Sequence, residues 1–109
     1  MKVAVVGSRN VVVENIEQYL PENVTEIISG GAKGVDTYAE TYAKNNNIKI
    51  TVIKPEYKKY RKGAPLVRNK QIVEMADFVV LIWDGKSNGT RFVLDYCKEL
   101  NKEHKVYII

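Results

Sequence analysis

The chain has 109 residues, 45% of them hydrophobic and 28% charged, which describes one globular domain over residues 1–109 and leaves no room for a second. Seventeen basic side chains against thirteen acidic ones give a net charge of +4, a mild excess that favours anionic small molecules or weak nucleic-acid contact. No apolar run approaches the roughly 20 residues of a membrane span, so no membrane partner is expected.

The pattern along the chain alternates strand and helix. Lys2–Val6 is a short apolar strand stopped by Gly7, and this opening lacks a signal-peptide layout. Val12, Val13, Ile16, Tyr19 and Leu20 then follow helical spacing up to Pro21. Thr25–Ser29 reads as the second strand. Val35, Tyr38, Ala39, Tyr42 and Ala43 form a clean apolar stripe on a helix that ends at Asn45-Asn46-Asn47. Ile48–Ile53 is a β-branched third strand closed by Pro55, and Glu56–Pro65 reads as irregular and basic. A third helix is predicted from Leu66 to Ala76. Phe78–Trp83 is the most continuously apolar strand, hence central and covered on both faces. Val93, Tyr96, Cys97 and Leu100 mark a fourth helix, and Val106–Ile109 the last strand.

Five strands separated by helices predict an α/β fold: a Rossmann-like three-layer sandwich with a five-stranded parallel sheet. Right-handed crossovers restrict the order mainly to 3-2-1-4-5, and ligands in such sheets sit beyond the carboxyl ends of the strands at the switch point. The glycine-punctuated turns all emerge on that edge. They are Gly7-Ser8-Arg9-Asn10, Ser29-Gly30-Gly31-Ala32-Lys33-Gly34-Val35-Asp36 and Asp84-Gly85-Lys86-Ser87-Asn88-Gly89-Thr90.

A turn that opens a helix aims backbone N–H groups and the positive end of the helix dipole at an anion. Gly30, Gly31 and Gly34 let the backbone approach a phosphate closely, or form a plain strand-to-helix turn. Ser8 and Arg9 suit phosphate through a hydroxyl and a guanidinium fork, against a reading as a cap and a surface charge. Arg68 and Asn69 would face the same crevice, or form a surface ion pair. Asp84, Ser87, Asn88, Gly89 and Thr90 make a second cradle, although Asn88 could instead cap the fourth helix. Asp36 either complements the helix dipole or hydrogen-bonds a ribose hydroxyl or base. Glu40 lies four residues on, a carboxylate pair of the kind used in acid–base work or an ordinary solvated face. Trp83 could stack on a base or fill the core.

Better-known motifs are excluded by spacing. No G-x-G-x-x-G occurs, and Val80 stands where a P-loop before Gly85-Lys86-Ser87 needs glycine. His104 and the lone Cys97 make no metal set, no cofactor is read, and a single cysteine excludes an internal disulfide and points to a cytoplasmic setting. Tyrosines alternate with cations over Lys54–Gly63, a pattern suited to single-stranded nucleic acid or to a lid over a small anion.

In these residues the chain resembles the SLOG superfamily of Rossmann-like nucleotide-binding domains, and within it small members related to the YspA and YpsA groups. The matching pieces are Val5–Arg9, Ser29–Asp36, Pro65–Asn69, Ala76–Ser87 and Asn88–Arg91, in order along nearly the whole chain. The resemblance implies a nucleotide or nucleotide-derived ligand, such as an ADP-ribose-like signal, and association into a homodimer through exposed helices. Relatives include phosphoribohydrolases, whose pattern is proline-glycine-glycine-x-glycine-threonine-x-x-glutamate, and DNA-processing proteins that bind single strands. Here the proline is missing and Val93 stands at the glutamate position. The expected function is therefore a sensor or sequestering module for a nucleotide-type small molecule. An N-glycosidic hydrolase acting on nucleoside monophosphates and a single-strand binder are the alternatives, and no catalytic residue is assigned.

Overall fold

Apolar, β-branched runs build the centre of the molecule. In the computed structural model, which describes residues Met1–Ile109, five strands form one parallel sheet: β1 (Lys2–Gly7), β2 (Glu26–Ser29), β3 (Lys49–Val52), β4 (Phe78–Trp83) and β5 (His104–Ile108). Their order is β3-β2-β1-β4-β5, with every neighbouring pair parallel. The helices are α1 (Val35–Asn45), α2 (Tyr57–Tyr60), α3 (Ala64–Met75) and α4 (Asn88–Glu99). This is the Rossmann-like α/β architecture and strand order that the alternating pattern predicts.

Successive strand residues point to opposite faces, which splits the core in two. Val3, Val5, Ile27, Val80 and Ile82 pack beneath Val35, Ala39 and Ala43 of α1. Ala4, Ile28, Val79 and Leu81 pack on the other face against Ile72 and Val73 of α3 and Val93 and Cys97 of α4. β4 is covered on both faces, with Val79, Val80, Leu81 and Ile82 wholly buried, as a central parallel strand requires. Burial pushes the Cys97 thiol up to about 11, so it acts as a packing residue rather than a nucleophile. No helix is long and apolar enough to cross a membrane.

Three elements differ from the sequence reading. The β1–β2 crossover is irregular apart from a 3-10 turn at Ile16–Tyr19, although its apolar residues have helical spacing. Three successive β-branched residues, Val11-Val12-Val13, disfavour helix, and the Asn15 side chain accepts the Glu17 N–H and starts the turn only there. Val11, Val13 and Ile16 still reach the α1-side core, while Val12 is 71% exposed. The second difference is that residues 56–65 are ordered as α2, a 3-10 turn at Arg61–Gly63 and the start of α3. Pro65 sits in the first turn of α3, where its missing N–H costs nothing, so the proline opens that helix rather than preceding it. Third, β5 begins at His104, before the predicted Val106.

The β1 and β2 loops meet at Gly34. Its φ is +78°, and an added Cβ would fall on the backbone of Arg9. Only a hydrogen atom fits there, and both demands act together. Gly34→Ala is expected to lower stability by about 1–3 kcal/mol, read as a lower urea midpoint with an unchanged slope. Gly89→Ala serves as the contrast, because a Cβ there meets nothing within 4 Å in the first turn of α4, and the midpoint should hold or rise.

Candidate functional site

β1, β2 and β4 end side by side, and the loops that follow them enclose a cleft of about 450 Å³. Small-molecule sites commonly span roughly 300–1,000 Å³ and are mostly apolar. This cleft has that size, and three of the sixteen residues in its lining are hydrophobic. Its polar side chains and backbone suit a small ligand with several hydrogen-bonding groups.

The structure brings together residues from four segments. Gly7, Ser8 and Arg9 come from the β1 loop, Gly30 and Asp36 from the β2–α1 turn, and Arg68 and Asn69 from α3. Asp84, Ser87, Gly89 and Thr90 come from the β4–α4 loop. Gly31, Gly34 and Asn88 lie outside the lining. Gly31 has φ +71°, and a Cβ there would stand 2.9 Å from Val52 Cγ1, so a side chain would disturb β3 rather than a ligand. Asn88 opens α4, with Ser87 at the position before it. Asn10, Ala32 and Pro65 complete the rim. Asn10 directly follows Ser8-Arg9, and that adjacency was the available sequence signal for it.

Much of the site's polarity is committed to holding its loops. The Ser8 hydroxyl, 2% exposed, accepts the Asp84 N–H at 3.1 Å and joins the β1 and β4 loops. The Asp84 carboxylate accepts the N–H groups of Ser87 and Lys86, both at 2.8 Å, and the Ser87 hydroxyl at 2.9 Å. These donors, the Ser87 amide foremost, pull its pKa down to about 2. Asp84 is thus a fixed anion that shapes its own turn. The Trp83 indole donates to the Ser87 carbonyl at 3.0 Å, so it too is engaged with this loop.

Arg68 is 9% exposed and is not the surface ion pair that was one sequence reading. Its Nη1 donates to the carbonyls of Gly30 and Ile53, and its Nε donates to Asn69 Oδ1 at 2.8 Å. Nη2 makes no bond within the protein. Burial lowers the pKa of this guanidinium, while the nearby Asp36 charge works the other way.

Asp36 is 7% exposed, and its Oδ2 accepts the Ala32 N–H at 3.1 Å. Burial pushes its pKa up to about 6, against the opposing pull of the Ala32 amide and of Arg68. Glu40 adds to the rise but does not line the cleft. It accepts the Ser29 hydroxyl at 2.8 Å, and that hydroxyl accepts the Gly31 N–H at 3.2 Å. The Asp36–Glu40 spacing therefore supports the glycine turn from below. The Ser29 bridge had no signal in the sequence.

α1, α3 and α4 all begin at this edge, and none has a side-chain cap. The first-turn amides of α4 keep hydrogen-bonding capacity, and those of Gly89 and Thr90 belong to the cleft wall. Val93 is wholly buried against the sheet, so no carboxylate enters from its position. No cluster of three or more His, Cys, Asp or Glu side chains is placed to hold a metal ion.

A model of the YspA, cpYpsA-related SLOG family matches residues 1–60. The chain belongs to this SLOG family. The matched span carries the β1 loop, the Gly30–Asp36 turn, α1 and β3, so two of the three loops around the cleft lie within the match, and the β4–α4 loop lies beyond it. No curated protein and no solved structure matches the chain.

Asp36 sets a pH dependence. Its folded pKa of about 6 lies above the ordinary 3.8, so folding favours the protonated carboxyl, whose contribution is greatest below about pH 4 and is lost as pH rises through 6. Asp36→Asn keeps an acceptor for the Ala32 amide and removes the charge. At pH 7 to 8 this variant should be more stable than the parent by about 1–3 kcal/mol, with the gap closing toward pH 4 in urea unfolding.

Proposed function

We propose that this protein captures a nucleotide or nucleotide-derived ligand in the cleft at the carboxyl edge of its sheet, as a sensor or sequestering module. Family membership is compatible with a nucleotide-related role. The observation that carries the reading is the convergence of two arginines, the uncapped start of α4 and three loop ends on one polar cleft. Arg9 and the Nη2 group of Arg68 supply charge to a phosphate, and the amides of Gly89 and Thr90 supply neutral donors. Asp36, which sits beside Arg68 at the Gly30 turn, accepts from a sugar hydroxyl or a base N–H. A cationic donor and a buried acceptor side by side suit a ligand whose anionic group lies next to a hydrogen-bond donor.

Capture is preferred to turnover because the residues that face the cleft include no activated nucleophile. The carboxylate expected of a phosphoribohydrolase is replaced by Val93, which is packed into the core. Asp84 is saturated with donors and held near pKa 2, far from the range of a general base.

Two measurements test the proposal. Mass spectrometry of small molecules released from the purified protein should find a phosphate-bearing nucleotide species. Calorimetric titration with ribonucleoside 5′-monophosphates should find at least one ligand, and Arg9→Ala should weaken it about tenfold or more while leaving the urea midpoint unchanged. Arg9 is exposed, so its truncation does not threaten the fold. Failure of every nucleotide to bind, or equal binding by Arg9→Ala, would overturn the assignment.

A further inference from the structure

Five of the seventeen basic side chains and one of the thirteen acidic ones fall within residues 54–62. This stretch therefore carries the whole net charge of +4, and the rest of the chain is neutral, with twelve charges of each sign. The cations are Lys54, Lys58, Lys59, Arg61 and Lys62, all exposed, and none is ion-paired with a carboxylate. An excess confined to one surface segment is a local field, not a property of the whole surface.

That segment borders the cleft. It runs from the end of β3 to the start of α3, and α3 contributes Arg68 and Asn69 to the lining. Arg68 itself holds the Ile53 carbonyl at the base of the segment. Tyr57 opens α2 within this segment, and 59% of it is exposed. Lys59 Nζ stands 5.2 Å from the Tyr60 ring centroid. Arg61, with φ +51° and ψ −126°, adopts a backbone conformation that side-chain-bearing residues rarely take.

Resting on the nucleotide reading above, we infer that the ligand carries a second phosphate-linked unit, which extends from the cleft onto this arm. One nucleotide unit occupies the cleft. The next phosphodiester meets Lys58, Lys59 and Lys62, and the following base stacks on Tyr57, the combination of ring and cation that suits a nucleic-acid backbone. A free dinucleotide and the end of a single strand present this same chemistry.

The test titrates native protein with ribonucleoside 5′-monophosphates, the matching dinucleotides and longer homopolymers. It repeats the series with the triple variant Lys58→Ser, Lys59→Ser, Lys62→Ser and with Tyr57→Ala. At least one dinucleotide should bind about tenfold more tightly than its mononucleotide, and both variants should erase that advantage while mononucleotide affinity stays the same. Equal affinities in the native protein, or an advantage that survives the variants, would sink the arm and leave the cleft reading intact. If neither mononucleotides nor dinucleotides bind, both readings fall. Affinity that rises further with homopolymer length, with a salt slope shallower by about two in the triple variant, assigns the second unit to a strand. Affinity that levels off at the dinucleotide assigns it to a free dinucleotide.

Discussion

A buried guanidinium holds the carboxyl edge of this sheet together. Arg68 reaches from α3 to the carbonyls of Gly30 and Ile53, which terminate β2 and extend β3, and it orients Asn69 through Nε. Hydrogen bonds from a charged donor are worth roughly 1.5–3 kcal/mol each, more than neutral ones. They also offset the desolvation of a side chain that no carboxylate neutralises at contact distance. The geometry of the cleft follows from this one residue. It sets how near α3 comes to the glycine turn, and it fixes the unbonded amino group as part of the wall.

Around that anchor, the cleft concentrates features that a purely stable protein would avoid. A carboxyl group 7% exposed resists ionisation, three helices begin without side-chain caps, and only three of sixteen lining residues are hydrophobic. Elsewhere the same chain is conventionally packed, with two apolar layers against a sheet whose central strands are sealed from water. The strain is local, and it coincides with the topological switch point between β1 and β4. Such coincidence is what the proposed recognition site would require, at some cost in stability.

The fold was legible where one period dominated. Phe78–Trp83 is an unbroken apolar run, and the stripe from Val35 to Ala43 allows only a helix against a sheet. The β1–β2 crossover misled because Val12, Val13, Ile16, Tyr19 and Leu20 satisfy a helical period while their β-branched neighbours oppose the helix itself. Pro65 misled in the other direction, since a proline read as the end of an irregular stretch can equally sit in the first turn of a helix. Around the cleft, chain position explains why residues beside different strand ends meet, because parallel topology carries every such loop to one edge. What could not be read was the division of labour. Gly31 and Gly34 satisfy backbone geometry and close approach rather than facing the cleft, Asp84 serves its own turn, and Arg68 bonds to carbonyls distant in sequence. These depend on contacts across the sheet that no local pattern encodes.

The irregular β1–β2 crossover has a kinetic consequence. Residues 10–25 carry a single 3-10 turn, so their amides have little ladder or helix protection and should open well below the free energy of global unfolding. Arg9 and Asn10, which lead into this segment, stand on the cleft wall. An occupant gripped there would tether the start of the covering with the fewest backbone hydrogen bonds and slow its solvent exchange without displacing any helix or strand. Occupancy of the cleft would then be written into the breathing of one flank of the molecule rather than into its shape.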